Sequence, residues 1–262
     1  MSPASAATRT GTPWLRRFHP RQDSEVELFC FPHAGGSASA YFQLSQQVAP
    51  RVQVSAVQYP GRQDRRNEPR IDSVDEFADR MCAELLAQPA RPFAMFGHSM
   101  GAVIAYETAQ RLAAAGRVPV WFFASSRRAP SRLRHTDVHR RDDAGIVAEL
   151  RSLADGEVGW LADEELLASF LPAIRSDYRA IETHPYRPGP PLRCPVTAFM
   201  GDRDPYTTPD EAQSWRDHCT GPFDLHVFPG GHFYLDKHTA QVAAHVGRVL
   251  GTAAGVAPRG EA

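Results

Sequence analysis

Serine, aspartate and histidine, the residue types that together attack a carbonyl, occur in this chain in that order. Ser99 lies in Gly97-His98-Ser99-Met100-Gly101, a G-x-S-x-G pattern fed by an apolar run and followed by a long helical pattern. In a strand-turn-helix context this pattern places a serine on a strained turn, with the next backbone N–H and the helix N-terminus aimed at developing negative charge. Serine is a weak nucleophile until a base takes its proton, and the base works best when a carboxylate fixes its tautomer. His232 suits the base, because it follows an apolar run and the glycines before it permit close backbone approach. For the acid, Gly201-Asp202-Arg203-Asp204 offers two carboxylates. Asp204 is the expected one, a few residues into the loop and free of the strand's pleat; Asp202 is the alternative, and otherwise caps the turn or pairs with Arg203.

An acyl-transfer site also needs donors for the oxyanion. One is the Met100 N–H. The other is expected from the turn Pro32-His33-Ala34-Gly35-Gly36, with Ala34 N–H as the donor. The other ten of the 11 histidines fit the base less well. His98 is inside the serine turn, His33 is in the first loop, and His135, His139 and His184 fall in a long inter-strand segment. His135 and His139 have i, i+4 spacing but no third ligand nearby, so no metal is expected. The four cysteines, Cys30, Cys82, Cys194 and Cys219, are widely separated and form no C-x-x-C pair, which points to reduced, mostly buried thiols.

These residues need a scaffold. Val26 to Phe31, Val52 to Val57, Phe93 to Phe96, Val120 to Ala124 and Cys194 to Met200 are apolar-rich runs that read as strands, Val26 to Phe31 nearly continuous as a strand buried on both faces should be, and Phe223 to Phe228 reads as a last strand. Trp14 to Phe18 is expected as a short edge strand. Helical patterns alternate with the runs, at Ser37 to about Val48, Ser73 to about Gln88, Ala102 to Ala115, about Asp210 to His218 and about Thr239 to Leu250. Alternating strand and helix means a mostly parallel, doubly wound sheet whose ligand sites lie at the carboxyl ends of the strands. All the chemistry-bearing turns stand at such ends, and the chain order Ser, Asp, His is that of an α/β-hydrolase fold. The alternation lapses between Ser125 and about Pro191, where two helical patterns, Asp143 to Leu153 and Asp163 to about Glu182, are separated by Gly156 and Gly159. Such an insertion is expected as a lid over the site, its apolar residues Leu166, Leu167, Phe170, Leu171 and Ile174 packing first and lining a pocket second. One domain is expected over residues 14–251, with core segments 14–130 and 191–251, a lid over about 131–190, a disordered leader 1–13 and a flexible tail 252–262.

Composition limits the partners. With 262 residues, 42% hydrophobic, 23% charged and a net charge of −1, the chain has an ordinary globular make-up and no basic excess for nucleic acid. No run of about 18 apolar residues could cross a membrane, and no apolar signal core opens the chain, so a cytoplasmic protein is expected; a monomer is expected as well.

Several stretches together resemble the type II thioesterases that accompany polyketide synthases and non-ribosomal peptide synthetases. They are Phe31-Pro32-His33-Ala34-Gly35-Gly36, Gln58-Tyr59-Pro60-Gly61-Arg62, the serine turn, Ser126-Arg127-Arg128-Ala129-Pro130, Leu171 to Tyr178, Gly201-Asp202-Arg203-Asp204 and Gly231-His232-Phe233. The resemblance runs from about Trp14 to Leu250, and Tyr59-Pro-Gly-Arg with Arg127-Arg-Ala-Pro are its most particular elements. It implies Ser99 as nucleophile, Asp204 and His232 as its partners, and the Ala34 and Met100 amides as the oxyanion hole. It also implies hydrolysis of acyl thioesters on the phosphopantetheine arm of acyl or peptidyl carrier proteins, removing stalled or wrongly primed acyl groups. The arm belongs to the substrate, so no cofactor of the enzyme's own is implied. Alternatives are a carboxylesterase or lipase using the same triad, a product-releasing thioesterase and, least compatible with a complete triad, a non-catalytic binding module. A chain starting at Met1 with no attached carrier domain is expected to act on carriers in trans. Six arginines between Arg127 and Arg141, offset in part by Asp137, are a candidate docking surface for an acidic carrier protein.

Overall fold

The computed structural model describes residues 8–9, 12–48, 50–153 and 164–254. Eight strands form one sheet: β1 (Thr8–Arg9), β2 (Leu15–Arg17), β3 (Val26–Phe31), β4 (Val52–Val57), β5 (Phe93–His98), β6 (Trp121–Ser125), β7 (Val196–Gly201) and β8 (Phe223–Phe228). Their spatial order is β1-β2-β4-β3-β5-β6-β7-β8. From β4 to β8 every pairing is parallel, and β1 and β2 join antiparallel at one edge. The apolar runs explain this arrangement: β3, β4, β5 and β7 are buried at every position, which requires a layer on each face.

The two layers are distinct. On one face α2 (Val74–Leu86) and α3 (Met100–Ala114) pack Phe77, Met81, Ile104 and Leu112 against the sheet. On the other, α1 (Phe42–Gln47) and α7 (Leu235–Ala254) contribute Leu44, Val242, Val246 and Leu250. The fold is the α/β-hydrolase type expected from the sequence.

Where elements depart from the sequence reading, local chemistry gives the reason. The strand within Trp14 to Phe18 is not at the edge, because Thr8 and Arg9, assigned to the leader, pair with Arg17 and Arg16 outside it. The helix after β3 opens as a 3-10 turn (Ala38–Tyr41) before α1, and α6 (Pro209–Gln213) passes into a second one (Ser214–His218). α7 begins ahead of Thr239 but breaks at His238 (φ −117°, ψ 18°), so its regular part starts near the expected residue.

The inserted segment expected as a lid is built from a 3-10 turn (Val138–Arg140), α4 (Asp143–Leu153) and α5 (Glu164–Thr183). It has a small core of its own, in which Val138, Ile146, Leu150, Leu167, Leu171, Ile174 and Tyr178 cluster, with Ala34 of the main body packed against them. Gly156, Gly159, the tail beyond residue 254 and the side chain of Leu166 lie outside the described residues. All four cysteines are free thiols; Cys30 and Cys194 are buried, and Cys82 and Cys219 are half-buried. Among the described residues no helix is long and apolar enough to cross a membrane.

Candidate active site

The serine turn forms where β5 stops and α3 starts. Ser99 is the N-cap of α3 with φ 56° and ψ −117°, a conformation that L residues avoid. It is held there by its own N–H, which donates to Ser125 O at 2.8 Å. The turn is also tight against the first loop: a Cβ on Gly101 would stand 2.0 Å from the Phe31 carbonyl oxygen. That distance explains the glycine, since backbone cannot give way as a flexible side chain can.

The expected partners come together at this turn. Ser99 Oγ and His232 Nε2 are 2.8 Å apart, and His232 Nδ1 lies 2.9 and 3.0 Å from the two carboxylate oxygens of Asp204. Asp204 Oδ1 also accepts from Tyr206 N–H at 2.8 Å, and His232 O accepts from Ser126 Oγ at 2.9 Å. Asp202 is turned elsewhere: its Oδ1 accepts from Gly230 N–H at 2.8 Å, and its carboxylate lies 3.6 Å from Arg203. Both carboxylates lie beyond the end of β7 at Gly201, and the turn that follows brings Asp204, not Asp202, to the imidazole.

Ala34 and Met100 line one cavity of about 130 Å³ together with Ser99. Neither amide has a hydrogen-bond acceptor among the described residues. Met100 is the first residue of α3, so its N–H has no partner within the helix. The same cavity is lined by Arg127 and Arg128. Burial, and then Arg128, lower the Arg127 pKa to about 9, and its Nε is buried without a hydrogen-bond partner. A second cavity, of about 390 Å³, lies across the His33–Gly36 turn and reaches Leu150, Phe170 and Ile174 of the lid.

The histidines that the sequence set aside have other places. His98 is buried, its Nδ1 2.8 Å from Ser125 Oγ, which in turn meets Tyr234 OH at 2.6 Å. Burial above all, then His232 and His33, push its pKa well below the ordinary value. His33 is lowered to about 4 by burial, then by His232 and Arg62. Both rings pack on Phe233 near the His232 imidazole and stay uncharged at neutral pH. His139 of the i, i+4 pair is committed to Glu182, 2.5 Å away. One group of potential metal-ligating side chains not foreseen from the sequence, Asp224, His226 and His245, spans β8 and α7, with His245 Nδ1 accepting from Arg248.

Two residues at the site escaped the sequence reading. Arg62 stood in a distinctive stretch without a physical role, and Asp177 stood unremarked in the lid helix. They form a fully buried ion pair, at 2.7 and 2.8 Å, in contact with the turn that carries Ala34. The available signal was a carboxylate three residues from Ile174, on the apolar stripe of α5.

A parallel sheet with a serine turn after its central strand, and an acid and an imidazole on later strand ends, defines an α/β-hydrolase. Residues 26–250 match the thioesterase domain model. The chain belongs to the thioesterase family and is a hydrolase of thioesters. It is 50% identical over 249 residues to a probable cadicidin biosynthesis thioesterase of Streptomyces griseus, spanning 95% of this chain and 69% of that one. It is 49% identical over 232 residues to thioesterase PikA5 of Streptomyces venezuelae, covering 87% and 82% of the two chains. The solved type II thioesterase BorB from the borrelidin biosynthetic cluster superposes with a TM-score of 0.85 at 46% identity, covering 92% of this chain and 99% of that one.

Proposed function

We propose that this thioesterase hydrolyses acyl groups from the phosphopantetheine arm of acyl or peptidyl carrier proteins, clearing stalled or wrongly primed chains in polyketide or non-ribosomal peptide biosynthesis. The observation that carries the reading is the continuous hydrogen-bonded series Asp204–His232–Ser99, ending at a cavity lined also by Ala34 and Met100, whose amides have no acceptor among the described residues. The kinship to thioesterases of biosynthetic clusters supports the choice of substrate.

Each step uses a group already in place. Ser99 Oγ bonds to the thioester carbonyl carbon as its proton passes to His232 Nε2. The Ala34 and Met100 amides hold the oxyanion, and Asp204 holds the imidazolium. The tetrahedral intermediate collapses with cleavage of the C–S bond, and the imidazolium returns its Nε2 proton to the departing sulfur, leaving His232 neutral again. The departing thiol, with a pKa of about 8.5, needs less protonation than an amine does. Water then gives a proton to His232 and attacks the acyl-enzyme; the acid leaves and Ser99 regains its proton. The apolar chamber under the lid takes the acyl chain.

The test compares matched acyl groups on carrier proteins and on p-nitrophenyl esters. A higher kcat/KM on the carrier, with a fluorophosphonate label on Ser99 that Ser99→Ala loses, is expected. A strong preference for the oxygen ester would assign the triad to an esterase instead.

A further inference from the structure

We propose that Asp177, on the lid helix, is a positioning residue for the oxyanion hole, acting with Arg62 to fix the direction of the Ala34 amide. This rests on the reading of Ala34 as an oxyanion donor. The argument begins with peptide geometry. The His33 carbonyl and the Ala34 N–H belong to one planar trans peptide, so they point in opposite directions. The Gly36 N–H donates to the His33 carbonyl at 2.9 Å. Whatever holds Gly36 against His33 therefore sets where the Ala34 N–H points.

Two side chains hold that turn from outside. Asp177 Oδ2 accepts from the Gly35 N–H at 2.7 Å, fixing the peptide that follows Ala34. Arg62 donates to the Gly36 carbonyl at 3.1 Å and, through both terminal nitrogens, to the two Asp177 oxygens at 2.7 and 2.8 Å. Arg62 and Asp177 side chains are 2% and 0% exposed, so this is a desolvated clamp rather than a surface ion pair. A buried pair of this kind is weak evidence of stability for its own sake, because desolvation opposes the attraction. Its hydrogen bonds go instead to the Gly35 N–H and the Gly36 carbonyl, the peptide that follows Ala34 and the far end of the same turn.

The clamp joins distant parts of the chain. Gly35 and Asp177 are 142 residues apart, one in the loop after β3 and the other in α5. α5 also rests directly on the turn: Gly35 has φ +76°, and a Cβ there would stand 2.7 Å from Ile174 Cγ1. The second oxyanion donor, Met100, needs no such support, since the start of α3 fixes it. The hole therefore has one donor set by the main body and one set by the lid helix. Lid seating and transition-state stabilisation are coupled through a single carboxylate.

The experiment uses the full chain and three variants: Asp177→Asn, Arg62→Lys, and the double replacement Arg62→Met with Asp177→Leu. Misplacing one oxyanion donor costs up to about 10²–10³ in kcat. Asp177→Asn is expected to lower kcat about 10- to 100-fold, with KM within about threefold, because the defect arises in the transition state. The inhibition constant of a trifluoromethyl ketone, which forms a tetrahedral adduct on the serine, should rise in parallel. The double variant removes both buried charges, so its melting temperature should recover above that of Asp177→Asn while kcat stays low. Arg62→Lys keeps the charge but gives up the two-pronged contact, and should fall between wild type and Asp177→Asn in kcat. Recovery of kcat together with stability in the double variant, or an unchanged kcat in Asp177→Asn, overturns the inference. A wild-type enzyme that takes no fluorophosphonate on Ser99 overturns the underlying reading, whatever the Asp177 variants do.

Discussion

At the scale of single residues, the two aspartates after β7 separate structure from chemistry. Asp204 contacts the imidazole through both oxygens, whereas Asp202 accepts one backbone N–H from Gly230. Asp204→Asn should reduce kcat by about 10³- to 10⁴-fold by favouring the wrong tautomer of His232, as loss of a triad carboxylate does elsewhere. Asp202→Asn keeps an oxygen for Gly230 and should change kcat by no more than about threefold; steady-state kinetics on one thioester measures both. A comparable loss in both variants would move the acid's role to the turn as a whole. His98 makes a different prediction, about stability. Its folded pKa is depressed, chiefly by burial, so the folded chain keeps it neutral while the unfolded chain binds a proton below about 6.5. Stability is thus full above that pH and declines as pH falls below it, and His33 adds to the same decline down to about 4. Urea midpoints should fall between pH 7.5 and pH 5, and should fall less steeply in His98→Asn.

At the scale of elements, α6 shows how a short helix secures a loop at the active site. Thr208 and Glu211 form a capping box, with Glu211 N–H reaching Thr208 Oγ1 at 3.3 Å and Thr208 N–H reaching Glu211 Oε2 at 2.8 Å. Glu211 also pairs with Arg134 at 2.6 Å, so the cap ties the Asp204 loop to the arginine-rich segment. Thr208→Ala should cost about 0.5–2 kcal/mol in urea unfolding. The lid is tied down on that side too, by a hydrogen bond from Tyr206 OH to Glu149 of α4. Within the lid, Phe170 lines the apolar chamber beside the His33–Gly36 turn. Phe170→Ala enlarges that chamber, and kcat/KM should shift several-fold in favour of longer acyl chains across a series of thioesters; a uniform effect on all lengths would place the acyl chain elsewhere.

At the scale of the whole molecule, the arginine segment is less free for docking than its composition suggests. Arg134 is held by Glu211, Arg141 by Glu149 and Asp137, and Arg128 donates to the carbonyls of Arg132 and Tyr206. Arg132 donates to Ser214 Oγ at 2.8 Å, so charge reversal at the exposed Arg140 is the cleaner test of carrier docking than reversal at Arg132 or Arg134. It should raise KM for acyl-carrier substrates and leave small-molecule thioesters unaffected; equal effects on both would remove docking from the explanation. The parallel sheet, the strand-end turns and the candidate triad were legible because each depends on local pattern: apolar runs, glycines at turns, and chain order. Its place deeper in the loop favours Asp204 over Asp202, but it is the turn after β7 that brings Asp204 to His232. Other features were not. The inward place of the Leu15–Arg17 strand depended on two residues, Thr8 and Arg9, with no apolar signal of their own. The Arg62–Asp177 clamp links positions 115 residues apart, and nothing in the neighbourhood of either predicts the other. By itself the sequence determined the serine turn, the scaffold and the family. Only the tertiary structure decided which buried charges meet and how the turn carrying Ala34 is held, because those contacts form only after the lid helix packs on the loop.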